Sequence, residues 1–282
     1  MKYDTIINGL KRFGSSERDL CVYGIGVPPE QVKENVILAP TWDPSVLPGL
    51  GKAAYLSESN DSMVKVWNLV ADSAEMTYIR TGIGAPMIMD ALLSLGVTRC
   101  RRVMFIGAVG SLDEQIGIGD IVIPEFSVCG DGASRYIATD DLKNDCWMEK
   151  TYPDPELLSS LKTITENVCR KNNVKWHPGR NFSIDTIVAQ FAHIDRILQM
   201  QCNVIEMETA AAFRAAKMAN IQIAAIFSVS DNTMAKKSLV SGRTDQEIAY
   251  RQFVRQKLFP QIILETLSIA SATDSLDETK LD

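Results

Sequence analysis

Three carboxylates stand where apolar runs of the sequence end. Asn203-Val-Ile-Glu-Met-Glu-Thr-Ala-Ala-Ala-Phe213 reads as a short buried strand closing on Glu206 and Glu208, followed by a helix of small residues. Phe227-Ser-Val-Ser-Asp-Asn-Thr233 reads as a second apolar strand closing on Asp231. A carboxylate at the end of a buried strand can accept hydrogen bonds from two vicinal hydroxyls of a sugar. Its charge also stabilises a cationic centre forming nearby. A carboxylic acid in the same kind of place can protonate a departing base. Each has a plainer reading. A Glu before a helix favours the positive end of its dipole, and Ser230-Asp-Asn-Thr233 is rich in residues that cap helices. Taken alone, the residues leave both readings open.

These groups need elements to hold them, and the periodicity supplies them. Val36 to Ala39, Met76 to Arg80, Val103 to Ile106 and a run beginning at Gly119-Asp-Ile-Val-Ile123 read as strands. The third is too continuously apolar to face water on either side. Pro86 to Leu95 reads as a helix entered through Gly82 and Gly84 and stopped by Gly96. Pro155 to Lys171 is amphipathic, with Leu157, Leu158, Leu161, Ile164 and Val168 at helical spacing. Asp245 to Ala270 is expected to form the last helix. Strands alternating with helices predict a three-layer α/β/α single domain with a mostly parallel central sheet. Residues 1–33 carry weak periodicity and a Gly24-Ile-Gly-Val-Pro-Pro29 breaker, and are read as an N-terminal extension. The domain proper is placed at 34–272 and a disordered acidic tail at 273–282.

Composition narrows the partners. The 282 residues are 46% hydrophobic, enough for one sizeable core. A formal net charge of −6, with no basic run longer than Arg99 to Arg102, argues against nucleic acid and anionic membranes. Six scattered cysteines and two histidines, without a C-x-x-C pair, predict no metal site and reduced thiols in a cytoplasmic protein. Met1 to Leu10 has no signal-peptide core, and no apolar run is long enough to span a bilayer. No cofactor is called for.

Together with Thr81-Gly-Ile-Gly-Ala-Pro86 and Phe105-Ile-Gly-Ala-Val-Gly110, the carboxylate segments resemble the nucleoside phosphorylase and nucleosidase superfamily, from roughly Val36 to Leu267. The resemblance implies a phosphorylase-like fold, a nucleoside as small-molecule partner and cleavage of its N-glycosidic bond. It implies that Glu208 holds the ribose hydroxyls, with Met207 as an apolar wall and Glu206 beside them. It further implies that Asp231 is the general acid, because purine-cleaving members carry Ser-Asp at this strand end. Thr81 and Gly82 would flank the substrate, and Ala108, Val109 and Gly110 would form the loop beneath it. Gln190 would read a base edge. Thr81 to Pro86 and Asp131-Gly-Ala-Ser134 are closest to the uridine phosphorylase branch, so the base stays open. Family members borrow residues across subunits, so a homo-oligomer, a dimer or trimer of dimers, is expected.

The phosphate ligands of phosphorylases are missing. Where they carry Gly-Asp-Pro followed by Arg, this chain has Trp42-Asp43-Pro44 followed by Ser45 and Val46. Phe105 and Ala108 stand at the positions of a second Arg and a hydroxyl residue, and Ser62 near that of the Arg lent by a neighbour. The aromatic expected after Ser183-Ile-Asp-Thr186 is Ile187. These departures favour hydrolysis of a purine-type nucleoside, with Asp43 helping water. Phosphorolysis with ligands from Arg80, Arg102 or Lys65 remains the alternative, and nucleoside binding without catalysis is the third reading.

Overall fold

The computed structural model describes residues 1–57, 63–71 and 74–278, which places Ser62 outside the described residues. Ten strands are present: β1 (Asn35–Ala39), β2 (Lys52–Tyr55), β3 (Lys65–Ala71), β4 (Ala74–Arg80), β5 (Arg102–Ser111), β6 (Ile121–Gly130), β7 (Lys150–Thr151), β8 (Trp176–Ile184), β9 (Val204–Glu206) and β10 (Gln222–Asn232). The helices are α1 (Tyr3–Arg12), α2 (Glu17–Ile25), α3 (Ala85–Leu95), α4 (Arg135–Ala138), α5 (Pro155–Asn172), α6 (Ile194–Gln199), α7 (Thr209–Met218), α8 (Asp245–Phe253) and α9 (Phe259–Glu278).

The strands form one sheet, and it is a mixture. β4, β1, β5 and β10 run parallel, as do β6, β8 and β9. Antiparallel ladders join these groups at β10–β6 and β5–β9, and carry the β2–β3–β4 meander at the edge. The expectation of a mostly parallel sheet holds, with short antiparallel ladders where the groups meet and an antiparallel meander at the edge. Because β5 pairs with both β9 and β10, the ladder β5–β10–β6–β8–β9 closes on itself. Closure brings strand ends from distant parts of the chain around one opening.

Alternation along the strands sends side chains to two cores. Val36 and Leu38 of β1 face a core shared with α2, α3 and α7. Ile37 and Ala39 face the other, shared with α5 and α9. The small residues of α7 let it lie close to the sheet, and Ala210, Ala211, Ala212, Ala215 and Ala216 have no exposed surface. The N-terminal extension is folded onto this layer: Cys21, Ile25, Val27 and Val32 join the first core, and the Tyr3 hydroxyl donates to the Leu93 carbonyl at 2.5 Å.

The C-terminal segment departs from the expected single helix. A π-helical turn, Val254–Leu258, separates α8 from α9. Pro260 has no N–H to give the Gln256 carbonyl, and the widened turn just before it absorbs that missing bond. α9 then runs to Glu278, into the segment read as a tail, since neither Gly nor Pro interrupts it after Pro260. No helix among the described residues is long and apolar enough to cross a membrane.

Candidate active site

A cavity of about 280 Å3 opens where β1, β5, β8, β9 and β10 end. Ligands bind outside the carboxyl ends of strands in open α/β sheets for the same reason: side chains and free backbone groups converge there. Of the residues proposed from sequence, Ala108, Gly110, Gln190, Glu206, Met207, Glu208 and Asp231 line it. Ile83, Ile184, Ile187, Ile205 and Leu239 add apolar wall, Thr41 and Ser230 add hydroxyl residues, and among the described residues no lysine or arginine lines it.

The two glutamates have separate jobs. Glu206 is saturated. One carboxylate oxygen accepts from the Asn181 amide and the Ser183 hydroxyl, both at 2.6 Å. The other accepts from the backbone N–H groups of Glu208 and Thr209 at 2.7 and 2.8 Å. The β8–β9 register, which pairs Ser183 with Glu206, places the side-chain donors. The backbone donors are orphan groups at the start of α7, so Glu206 is the capping residue of that helix.

Glu208 accepts a hydrogen bond of 2.6 Å from the Gly84 N–H. Gly84 sits at φ 104° in the turn that starts α3, a conformation that requires glycine, so the N-terminus of α3 points at this carboxylate. Burial first, and the charge of Glu206 second, push its carboxyl well above the usual range. A glutamate so placed gains much from two further donors, and vicinal hydroxyls would supply them.

Asp231 stands at a bulge. The β10–β5 register shifts between Val229 and Asp231, leaving Ser230 as the extra residue. The Ser230 hydroxyl donates to Asp231 at 2.5 Å, and Gly110 leaves the room the carboxylate uses: a Cβ there would lie 3.2 Å from Asp231 Oδ2. Burial raises the Asp231 carboxyl, while the Ser230 bond and the charges of Arg243 and Arg251 oppose that rise. A buried aspartic acid beside an apolar cavity is suited to donating a proton.

Four proposed residues lie elsewhere. Val109 points to the opposite face of β5 from Ala108 and Gly110 and is packed in the first core. Thr81 is fully buried at the end of β4, its hydroxyl donating to the Gly82 carbonyl at 2.9 Å. Gly82, at φ 92°, shapes the turn without lining the cavity. Asp43 is ion-paired, with both oxygens 2.9 and 3.2 Å from Arg80 Nη1. Both oxygens are engaged by Arg80 and Asp43 does not line the cavity, so its contacts do not support the water-activating role. The same pair occupies Arg80.

The other substitutes for phosphate ligands are also displaced. Arg102 is buried at the start of β5, the far end of that strand, beside Asn35 and Ser271. Lys65 sits across the β3–β4 ladder from Arg80 and does not line the cavity. Trp42 turns into the second core against Phe259, with ring centroids 6.0 Å apart. Phe105 packs edge-on against Phe227 at 5.1 Å. Sequence reasoning missed Asn181 and Ser183 as supports of Glu206, and Ser230 and Arg243 as neighbours of Asp231. Only the Ser-Asp pair carried a signal; the rest required the strand register.

A larger groove of about 430 Å3 lies between Glu149–Pro155 and α7. Its Arg214 and Glu149 pair with each other at 3.0 Å, and it holds no buried carboxylate, so the chemistry belongs to the smaller cavity. Among the described residues no group of three or more His, Cys, Asp or Glu is arranged to hold a metal ion.

Comparison with known proteins identifies the family. A family model described as the phosphorylase superfamily matches residues 64–256. A guanosine phosphorylase of Halorubrum lacusprofundi is 24% identical over 61% of the chain and 67% of its own length. The uridine phosphorylase of Escherichia coli is 26% identical over 40% of the chain, and the match spans less than half, 45%, of that relative. The fold is also that of an AMP nucleosidase from Bacteroides thetaiotaomicron, with a TM-score of 0.66, 14% identity and coverage of 98% of this chain and 100% of that one.

Proposed function

The chain belongs to the phosphorylase superfamily, and on that premise we propose that it cleaves the N-glycosidic bond of a purine-type nucleoside with water as acceptor. One observation carries the reading: two buried carboxyl groups, Asp231 and Glu208, line the same cavity. As the bond from C1′ to the base lengthens, its electron pair moves onto the base, and Asp231 gives that base its proton. Positive charge then develops on the ribose, where the carboxylate of Glu208 holds the hydroxyls and stabilises it. Water adds to C1′ and releases its proton to solvent, giving free base and free sugar. In this reading Gln190, which lines the cavity, contacts the base.

Water is preferred over phosphate because no cation lines the cavity and Arg80 is engaged by Asp43. An unpaired dianion against such walls would lose more solvation than it regained. The relation to guanosine and uridine phosphorylases favours phosphorolysis as the second reading. We read the protein as a homo-oligomer in a reducing compartment. Val188 and Phe191, next in sequence to the lining residues Ile187 and Gln190, are 82% and 42% exposed, a surface suited to cover by a second copy. All six thiols are free and buried. The test is incubation with purine nucleosides with and without phosphate. Free ribose in both supports hydrolysis; ribose 1-phosphate that appears only with phosphate replaces it with phosphorolysis.

A further inference from the structure

We propose that Cys129 and Cys146 form a reversible disulfide that fastens the strap 139–149 to the central sheet. Their sulfurs lie 3.6 Å apart, although 17 positions of sequence separate them. A disulfide needs an S–S distance of about 2.05 Å, so closing the bond takes a shift of roughly 1.5 Å. Cys129 belongs to β6 and pairs with Ser183 across the β6–β8 ladder. Cys146 belongs to the strap, which joins α4 to β7 and has neither helix nor strand of its own. The sheet therefore stays in place and the strap moves.

Existing contacts already hold the strap against its neighbours. The Cys129 N–H donates to the Glu149 carbonyl and the Met148 N–H to the Cys129 carbonyl, both at 2.8 Å. Asp145 pairs with Arg135, and Glu149 with Arg214 of α7. Met148 holds φ 65°, a conformation that residues with a side chain avoid, so these contacts rather than local preference keep the turn. Leu142 and Trp147 are exposed, whereas both thiols are buried. The two sulfurs differ in what surrounds them. Burial raises both thiols; the charge of Asp131 adds to the rise at Cys129, while that of Arg214 opposes it at Cys146. Cys146, next to the exposed Trp147, is the sulfur that an oxidant meets first when the strap opens. Cys129 Sγ lies 3.4 Å from Asp131 Oδ2, an acceptor for the proton that it gives up. The Asp131-Gly-Ala-Ser134 turn, which lines no part of the cavity, finds a use here.

The oxidant is hydrogen peroxide. The Cys146 thiolate attacks one peroxide oxygen, the O–O bond breaks, hydroxide leaves and a sulfenic acid forms. Cys129 then attacks that sulfur and the S–O bond breaks, the Cys129 proton leaving with the hydroxide as water. Two thiols and one peroxide give one disulfide and two waters, and a small thiol reductant reverses the bond by exchange. In a reducing compartment such a pair is oxidised only transiently, which makes it a sensor rather than a permanent staple. The bond closes behind one wall of the cavity. Ser183, the ladder partner of Cys129, donates to Glu206 and accepts from the Ala210 N–H. Ala210 packs with both cysteines. Fastening the strap therefore stiffens the first turn of α7, where Glu206 is held. Nothing in this cross-link depends on what the cavity binds.

For the test, the full-length protein is reduced, freed of reductant and exposed to hydrogen peroxide. It is then alkylated in denaturant and digested without reduction. Two peptides joined through Cys129 and Cys146 are expected, with the other four cysteines alkylated. The Tm of the oxidised protein should rise by about 5 °C, the effect of closing a loop of this length. Dithiothreitol should return both readouts to their starting values. Cys146→Ser should show neither the joined peptides nor the shift, and Cys146→Ala replaces it if the serine variant folds poorly. The parent measurements decide by themselves in either case. Recovery of both thiols in alkylated form after peroxide overturns the disulfide, as does conversion of Cys146 to a sulfinic acid with no cross-link. A cross-link that forms only in protein unfolded by urea overturns it too. A cross-link in the folded protein with no rise in Tm overturns the fastening of the strap.

Discussion

The ends of β9 and β10 treat charge in opposite ways. At β9 two carboxylates are buried side by side with no cation, and they differ from each other: Glu206 is satisfied by four donors, Glu208 by the Gly84 N–H. At β10 the charges of Arg243 and Arg251 act on one carboxylate that burial is pushing toward its neutral form. The first arrangement lacks donors and the second has positive charge opposing that push. A fold that leaves a buried carboxyl group short of donors at its cavity is incomplete without a ligand, because buried ions left unpaired cost several kcal/mol. Glu206, the group that is complete, is the structural one.

The contrast can be broken one carboxylate at a time. Asp231→Asn has the largest expected effect, a loss of roughly 10²–10⁴ in turnover of purine nucleosides with little change in binding. With Asp231 as the acid, the parent rate is level at low pH and falls as pH rises through its raised pKa; the asparagine variant should lose that limb. Near-normal turnover in the variant would return Asp231 to a structural role. Glu208→Gln comes next, with a loss of roughly 10–100-fold in kcat/KM for ribonucleosides and far less for analogues lacking the hydroxyls. Equal losses on both substrates would show that Glu208 does not hold the sugar.

Glu206→Ala should act on folding instead. Orphaning its donors is expected to cost about 3 kcal/mol in denaturant unfolding, with substrate selectivity retained in the folded fraction. A change in selectivity at full stability would contradict the division of labour between the two glutamates. The smallest effect is the stability of Glu208→Gln against pH. A carboxyl whose folded pKa is raised contributes stability that is full below its unfolded pKa and is lost as pH rises through the folded one. The variant should therefore melt above the parent at alkaline pH, by about 2 °C or more, and the difference should shrink toward pH 5. A constant difference at all pH values would mean that ionisation of Glu208 is not its cause.

Much of this was legible in the chain. The runs at Val36, Met76, Val103, Pro155 and Phe227 are read correctly because hydrophobic periodicity is a local property that burial enforces on each element. The Glu-Met-Glu and Ser-Asp pairs announced themselves because strand ends place backbone and side chains at one edge of a sheet. The misreadings have a common origin. Val109 was assigned to the cavity from its place between Ala108 and Gly110, but alternation along β5 turns it into the core. Asp43 is the only acid near the first turn and so the sequence offers it as the group that assists water, whereas the structure pairs it with Arg80, 37 positions away. The π turn at Val254–Leu258 left no periodic signature, since only a backbone bond missing at Pro260 marks it.

The sequence by itself determined the elements, the carboxylates at their ends and the loss of the usual anion ligands. Which glutamate is a cap and which is free depended on the β8–β9 register. That Asp43 finds Arg80 depended on the turn after β1 lying beside the end of β4. Both are matters of pairing between segments far apart in the chain. Residue types fix what a group can donate or accept; only the closed ladder fixes what is near enough to take it.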